Sequence, residues 1–176
     1  MEKFDNILSI YEEWGKYILE EFFESEQEIE VVWGSDFNVY PSDDIDMSLV
    51  EIGMLITEES EKSLPQFFLD NFDVRYDMQD IEIFTICFLH EMGHLCTMDR
   101  LEDGRYVVEL TPGRDDATVD EYRMLPEEFR ADKWANEYIN DNLSLVSFYQ
   151  DWLNEAYSQV TKEDLELWTS LVHLTN

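Results

Sequence analysis

The stretch from Gln79 to Thr97 constrains this chain more than any other. It is strongly apolar, and its clearly polar or ionisable members are Asp80, Glu82, His90, Glu91 and His94. A helix with so little polar surface has to be buried, so the rest of the fold must enclose it. Yet its centre reads His90-Glu91-Met92-Gly93-His94. Burying that motif is costly unless a metal or other partners compensate the imidazoles and the carboxylate. Residues four apart share a helical face, so the two imidazoles can bind a single Zn²⁺. Glu91 lies one step round the helix, where it can reach a water without being a ligand, the place for a general base. Two of the chain's three histidines fall in this motif. The competing reading is a helix with two incidental histidines, and the burial penalty weighs against it.

A catalytic zinc takes a third protein ligand and keeps a position open for water. Candidates follow in Pro126-Glu127-Glu128-Phe129-Arg130-Ala131-Asp132-Lys133-Trp134-Ala135. Pro126 suits a first helical turn, and the acids after it face the positive helix end. Glu128 and Asp132 share a face that continues through the small Ala131 and Ala135, which let another helix approach closely. Glu128 is therefore the expected third ligand, with Asp132 accepting a hydrogen bond from a ligand histidine. Glu127, one step off that face, is its competitor. Cys87 and His94 are about 10 Å apart along a helix, too far for one tetrahedral ion, so Cys87 reads as an inert core thiol. Tyr106 and Tyr122, between the two ligand segments, are candidates for stabilising an oxyanion. His173 reads as a helix-end residue. Asp43-Asp44-Ile45-Asp46 lacks the Gly and distal Glu of a calcium loop and reads as a solvated turn.

The pair of motifs, His90-Glu91-Met92-Gly93-His94 and then Glu128-x-x-Ala131-Asp132-x-Trp134-Ala135, resembles the gluzincin pattern. More narrowly it resembles the small ImmA/IrrE-type metallopeptidases, with H-E-x-G-H followed by E-x-x-A-N-x-F-A. Asp132 stands where that family usually has Asn, and Trp134 where it usually has Phe. The resemblance implies one zinc per chain, an intracellular endopeptidase, and a regulatory substrate such as a repressor in phage or mobile-element biology. Deformylating enzymes share H-E-x-x-H but need a cysteine ligand on an upstream strand, and no cysteine precedes Cys87.

Charge narrows the partners. Forty-two acids face eleven Lys and Arg, for a formal charge of −31. Such a surface repels phosphate backbones, which disfavours direct nucleic-acid binding. It suits a basic protein partner, either as a substrate or as the target of an acidic DNA mimic carrying a vestigial or structural zinc. It also serves simply to keep an aromatic-rich chain dissolved. Cys87 and Cys96 would lie about 13 Å apart on one helix, too far for a disulfide. With no signal peptide or membrane span to be read, the expectation is a soluble, cytoplasmic protein.

The 176 residues fit a single domain, and with 44% apolar side chains they can fill a core. Phe4, Ile7, Leu8, Tyr11, Trp14, Ile18 and Phe22 make one helical stripe over Phe4 to Phe23. Ile29 to Trp33 and Phe37 to Pro41 flank a Gly-Ser-Asp turn signal and read as a hairpin or meander. Met47 to Ile56 is a third strand, and the resemblance implies that an extended peptide adds along an exposed edge of the sheet such as this one. Thr57 to Glu61 reads as a polar break, and Ser63-Leu64-Pro65 as the start of a short helix through Phe72. Leu101 to Thr111 reads as a turn and strand, and Pro112 to Leu125 as loop. Helices are expected near Leu143 to Gln159 and Lys162 to Leu174, the last capped by Thr161. The order implies an α+β fold: an N-terminal helix, a small mainly antiparallel sheet, the motif helix and a C-terminal helical bundle.

Overall fold

The computed structural model describes residues 2–23, 28–34, 37–41, 47–53, 58–99, 106–107, 111–112 and 117–166. The chain is α+β, with a small mixed sheet and a predominance of helix. Helix α1 (Glu2–Phe23) buries Phe4, Ile7, Ile10, Tyr11, Trp14, Ile18 and Leu19 at the three-and-four spacing of one face. Phe22, part of the expected stripe, is half exposed instead.

The sheet differs from the expected meander. Strands β1 (Glu28–Gly34), β2 (Asn38–Tyr40) and β3 (Met47–Gly53) lie in the order β1-β3-β2. The longer pairing, β1 with β3, is parallel, and only the short β2–β3 pairing is antiparallel. β3 is therefore the central strand, and the expected free edge is taken by β1 along Met47–Gly53 and by β2 at Leu49, Val50 and Glu51, while 54–56 lie outside the described residues. Hydrophobic patterning sets which face of a strand is buried, and it leaves the choice of neighbour to tertiary contacts. Ile29 and Val31 of β1, with Val50 and Ile52 of β3, turn their alternate side chains into the core. Gly15 of α1 admits the sheet closely, since a Cβ there would lie 2.7 Å from the Ile29 Cδ1 methyl.

Helix α2 (Glu58–Asn71) starts earlier than expected and takes most of the expected polar break into its first turn, leaving Pro65 in its interior. A 3₁₀ turn at Met78–Asp80, capped by the Asp77 side chain, precedes α3 (Ile83–Thr97). The motif helix is thus shorter than the apolar stretch that announces it. The Glu82 side chain makes no capping bond, and α3 is capped from elsewhere in the fold. Gln150 Oε1 accepts from the Glu82 N–H at 2.8 Å and from Thr85 Oγ1 at 3.1 Å, while Gln150 Nε2 donates to the Asp80 carbonyl.

The expected loop before Leu125 contains a helical turn, α4 (Val119–Arg123), closed by a capping box between Thr118 and Glu121. Helix α5 (Pro126–Ser158) joins the two expected helices across a break at Asn142, where φ is −124° and ψ is 27°. Asn142 Nδ2 donates to the Tyr138 carbonyl at 3.2 Å, satisfying an acceptor next to the break. Geometry demands this bend. A straight helix would set Asp132 and Gln150 about 27 Å apart, whereas His90 and Thr85, which they touch, are about 8 Å apart on α3. The break lets one helix reach both. Thr161 caps a further helical stretch at 162–166, and the remainder of that expected helix lies outside the described residues, as do Asp43 to Asp46, His173 and the Asp103-Gly104 turn.

One apolar core joins α1, the sheet, α2, α3 and α5. At its middle Trp14 stacks on Tyr149 of α5 at 5.0 Å and meets Phe88 of α3 at 5.1 Å between ring centroids. α3 is enclosed as its sequence demands, with Ile86, Phe88, Leu89, Met92 and Leu95 fully buried. No helix among the described residues is long and apolar enough to cross a membrane.

Candidate metal centre

α3 and α5 cross at Gly93 and Ala131. A Cβ at Gly93 would sit 2.6 Å from the Ala131 carbonyl oxygen and 3.0 Å from its Cα. Those are immovable backbone atoms, so glycine is what lets the helices come together here. Ala131 and Ala135 are fully buried on the matching face of α5. This close crossing carries His90 and His94 to Glu128.

The three side chains converge. His90 Nε2 lies 3.1 Å from His94 Nε2 and 3.1 Å from Glu128 Oε2, and His94 Nε2 lies 3.5 Å from the same oxygen. One ion held tetrahedrally through bonds of about 2.0–2.1 Å has donors roughly 3.3–3.4 Å apart. The triangle is therefore the size of one face of such a tetrahedron, leaving the fourth corner for water or substrate. The buried group His90, His94 and Glu128 can hold a metal ion. Two imidazole nitrogens and a carboxylate are a donor set that zinc accepts.

Asp132 occupies the expected supporting position. Its Oδ1 takes the His90 Nδ1–H at 2.8 Å, which orients the ring so that Nε2 faces the other two donors. Glu91 is buried, with Oε1 4.0 Å from His90 Nε2, so it flanks the centre without joining the triangle. Glu127, the competitor for third ligand, is committed elsewhere: its oxygens accept from the Thr111 N–H at 3.0 Å and Oγ1 at 2.7 Å. That bond ties the incoming chain to the first turn of α5.

Burial dominates the electrostatics. It penalises charge on His90, but Asp132, Glu128 and Glu91 outweigh that penalty and hold the imidazole pKa well above its ordinary value. Burial also pushes up Glu128, yet hydrogen bonds from both imidazoles overcome it and keep the carboxyl far below the usual carboxylate range. Glu91 goes the other way. Burial raises its pKa, and the pull of the two imidazoles offsets only part of the rise. The two glutamates, 37 positions apart, are thereby pushed in opposite directions, one fixed as an anion and one made more basic. Burial and the nearby Glu91 push the Cys87 thiol up to about 12, so it is protonated and inert at neutral pH, as expected.

Tyr106 and Tyr122 are both half-buried, Tyr122 on α4. The hydrogen bonds described among His90, Glu91, His94, Glu128 and Asp132 include neither of them. Tyr40 lies within electrostatic reach of Glu91. β2 packs against α3, and Tyr40 on it donates to Glu51 Oε2 at 3.3 Å. Its phenol pKa is raised by burial first, then by Glu51, and also by the charge of Glu91. No local pattern announces Tyr40, because its position depends on non-local strand pairing. Thr111 and Gly93 are missed for a similar reason, although a lone glycine inside an apolar helix is a hint of close packing. No family model, curated protein or solved structure matches this chain.

Proposed function

We propose that this chain is a zinc-dependent endopeptidase, with His90, His94 and Glu128 as ligands and Glu91 as general base. The observation that supports it most is the donor triangle, with sides of 3.1, 3.1 and 3.5 Å, beside a buried carboxylate that is not part of it. A zinc ion bound there would polarise a scissile carbonyl and acidify a water at the open corner. The protein's own groups do the rest. Asp132 holds the His90 ring in one tautomer and orientation. Glu91, its pKa raised by burial, accepts the proton of the attacking water at a carboxylate oxygen and returns it to the leaving amine. Glu128 stays ionised throughout and neutralises one positive charge of the ion. The likeness to ImmA/IrrE-type peptidases extends the proposal to a regulatory protein substrate such as a repressor.

Zinc analysis with a cleavage assay tests this. Glu91→Gln is expected to retain one zinc per chain while cleavage is lost. Replacing His90, His94 or Glu128 in turn is expected to remove the metal itself. Cleavage that persists in Glu91→Gln sinks the mechanism, and zinc that survives without Glu128 moves the third ligand elsewhere.

The charge of −31 favours a second reading, an acidic protein that sequesters a basic nucleic-acid-binding partner. That complex would weaken steeply with salt and would be indifferent to Glu91→Gln. The two readings part on that variant alone.

A further inference from the structure

Five of the described cations pair with a carboxylate. Lys3 pairs with Asp164, Lys16 with Glu12, Arg75 with Asp141, Lys133 with Glu137 and Lys162 with Glu166. Arg123 is half-buried and makes no ion pair among the described residues. Its guanidinium lies 5.5 Å above the Phe67 ring, which positions it without neutralising it. A partly desolvated cation with no ion pair among the described residues is a candidate anion site in electrostatic terms.

Two connections lead from Arg123 toward the metal centre. Phe67 lies 6.5 Å from the ring of Phe129, the residue that follows Glu128 on α5. On the other side, the charge of Arg123 acts on the Cys87 thiol, pulling it down against the larger upward push of burial. Cys87 precedes Glu91 by four residues, about 6 Å along α3. α4, which carries Arg123 at its end, is itself held by the Thr118–Glu121 capping box and leads directly into the first turn of α5.

We infer that Arg123 is a substrate-positioning residue that receives a single carboxylate of the bound peptide, an Asp or Glu side chain near the scissile bond. This rests on the peptidase reading and adds a substrate class to it. Guanidinium and carboxylate match as a planar two-pronged pair, a short-range contact that outlasts the repulsion of the wider surface. That surface selects against polyanions, because its field extends over roughly 8 Å at physiological salt while one guanidinium offers one docking point. The substrate is therefore a peptide with one acidic residue set in an otherwise neutral or basic segment.

The test uses an array of short peptides, each made in an acidic form with Asp or Glu at one position and an amide form with Asn or Gln there. The array is read twice, for binding by the full-length, zinc-loaded Glu91→Gln protein and for cleavage by the unaltered protein. The acidic form is expected to bind about tenfold better at one position, and Arg123→Gln is expected to level the two forms. Arg123→Lys should restore part of the preference, and thermal unfolding and zinc content should be unchanged in both variants. A preference that is absent at the outset, or that survives Arg123→Gln, overturns the assignment. Peptides left uncut by the unaltered protein while the acidic preference stands would overturn the peptidase reading and leave the Arg123 site intact.

Discussion

The two halves of α5, on either side of Asn142, are built to opposite rules. The half before the break buries Glu127, Glu128, Asp132 and Asn136 among small alanines, and turns apolar only at Tyr138 and Ile139 next to the break. The half after it buries Val146, Tyr149, Leu153 and Ala156, with Gln150 as its one buried polar side chain. Burying carboxylates opposes folding unless partners offset the desolvation, and removing one partner of a buried pair is harsher still. The first half is therefore a stretch whose composition makes sense through the ion it can hold. The second half supplies ordinary hydrophobic stability. One helix keeps its buried carboxylates and most of its apolar surface apart along its own length.

The largest test of that division is metal addition. Zinc at about a thousand times its Kd should stabilise the protein by about 4 kcal/mol, and Glu128→Gln should abolish the gain. Denaturant titration with and without zinc reads both. Equal stabilisation of the Gln variant would break the comparison. Next comes Leu153→Ala in the apolar half, where a fully buried side chain is removed. It should cost about 3 kcal/mol of stability while zinc stoichiometry stays the same. Gly93→Ala tests the crossing between the helices, since its Cβ would meet Ala131 backbone at 2.6 Å. A loss of about 2 kcal/mol is expected, together with weaker metal binding, because the donors ride on helices that must separate. The smallest effect lies outside both halves. Asp164, exposed and paired with Lys3 and Thr161, has a depressed pKa. Its contribution is present above the unfolded carboxyl value and is lost as pH falls through the folded one. Hydrogen exchange at 162–166 should rise in Asp164→Asn, and the difference should vanish in strong acid.

What could be read in advance was what depends on neighbours in sequence. His90 and His94, then Glu128 and Asp132, are i and i+4 pairs, so helix geometry alone aligns them. The burial of α3 followed from its lack of any polar face. Strand order did not follow, because β1, β2 and β3 each show which side faces inward and nothing of who lies beside whom. Pro65 misled for a simpler reason. It favours a first helical turn, but α2 begins seven residues ahead of it and tertiary packing carries the helix through. Glu128 was preferred to Glu127 because it shares a face with Asp132, and Thr111, sixteen positions upstream of Glu127, engages the competitor. Arg123 was not singled out because its place above Phe67 depends on contacts distant in sequence.

The amide of Gln150 at the start of α3 and the carboxylate of Asp132 at its middle make α5 a pair of calipers on the first half of the motif helix. Calipers read one length. A slip of α3 by a single turn, about 5.4 Å, would release both jaws together, so intermediate settings of the donor triangle have nothing to rest on. The spacing of the three donors is in this sense quantised, set by a bend 8 residues from one jaw and 10 from the other.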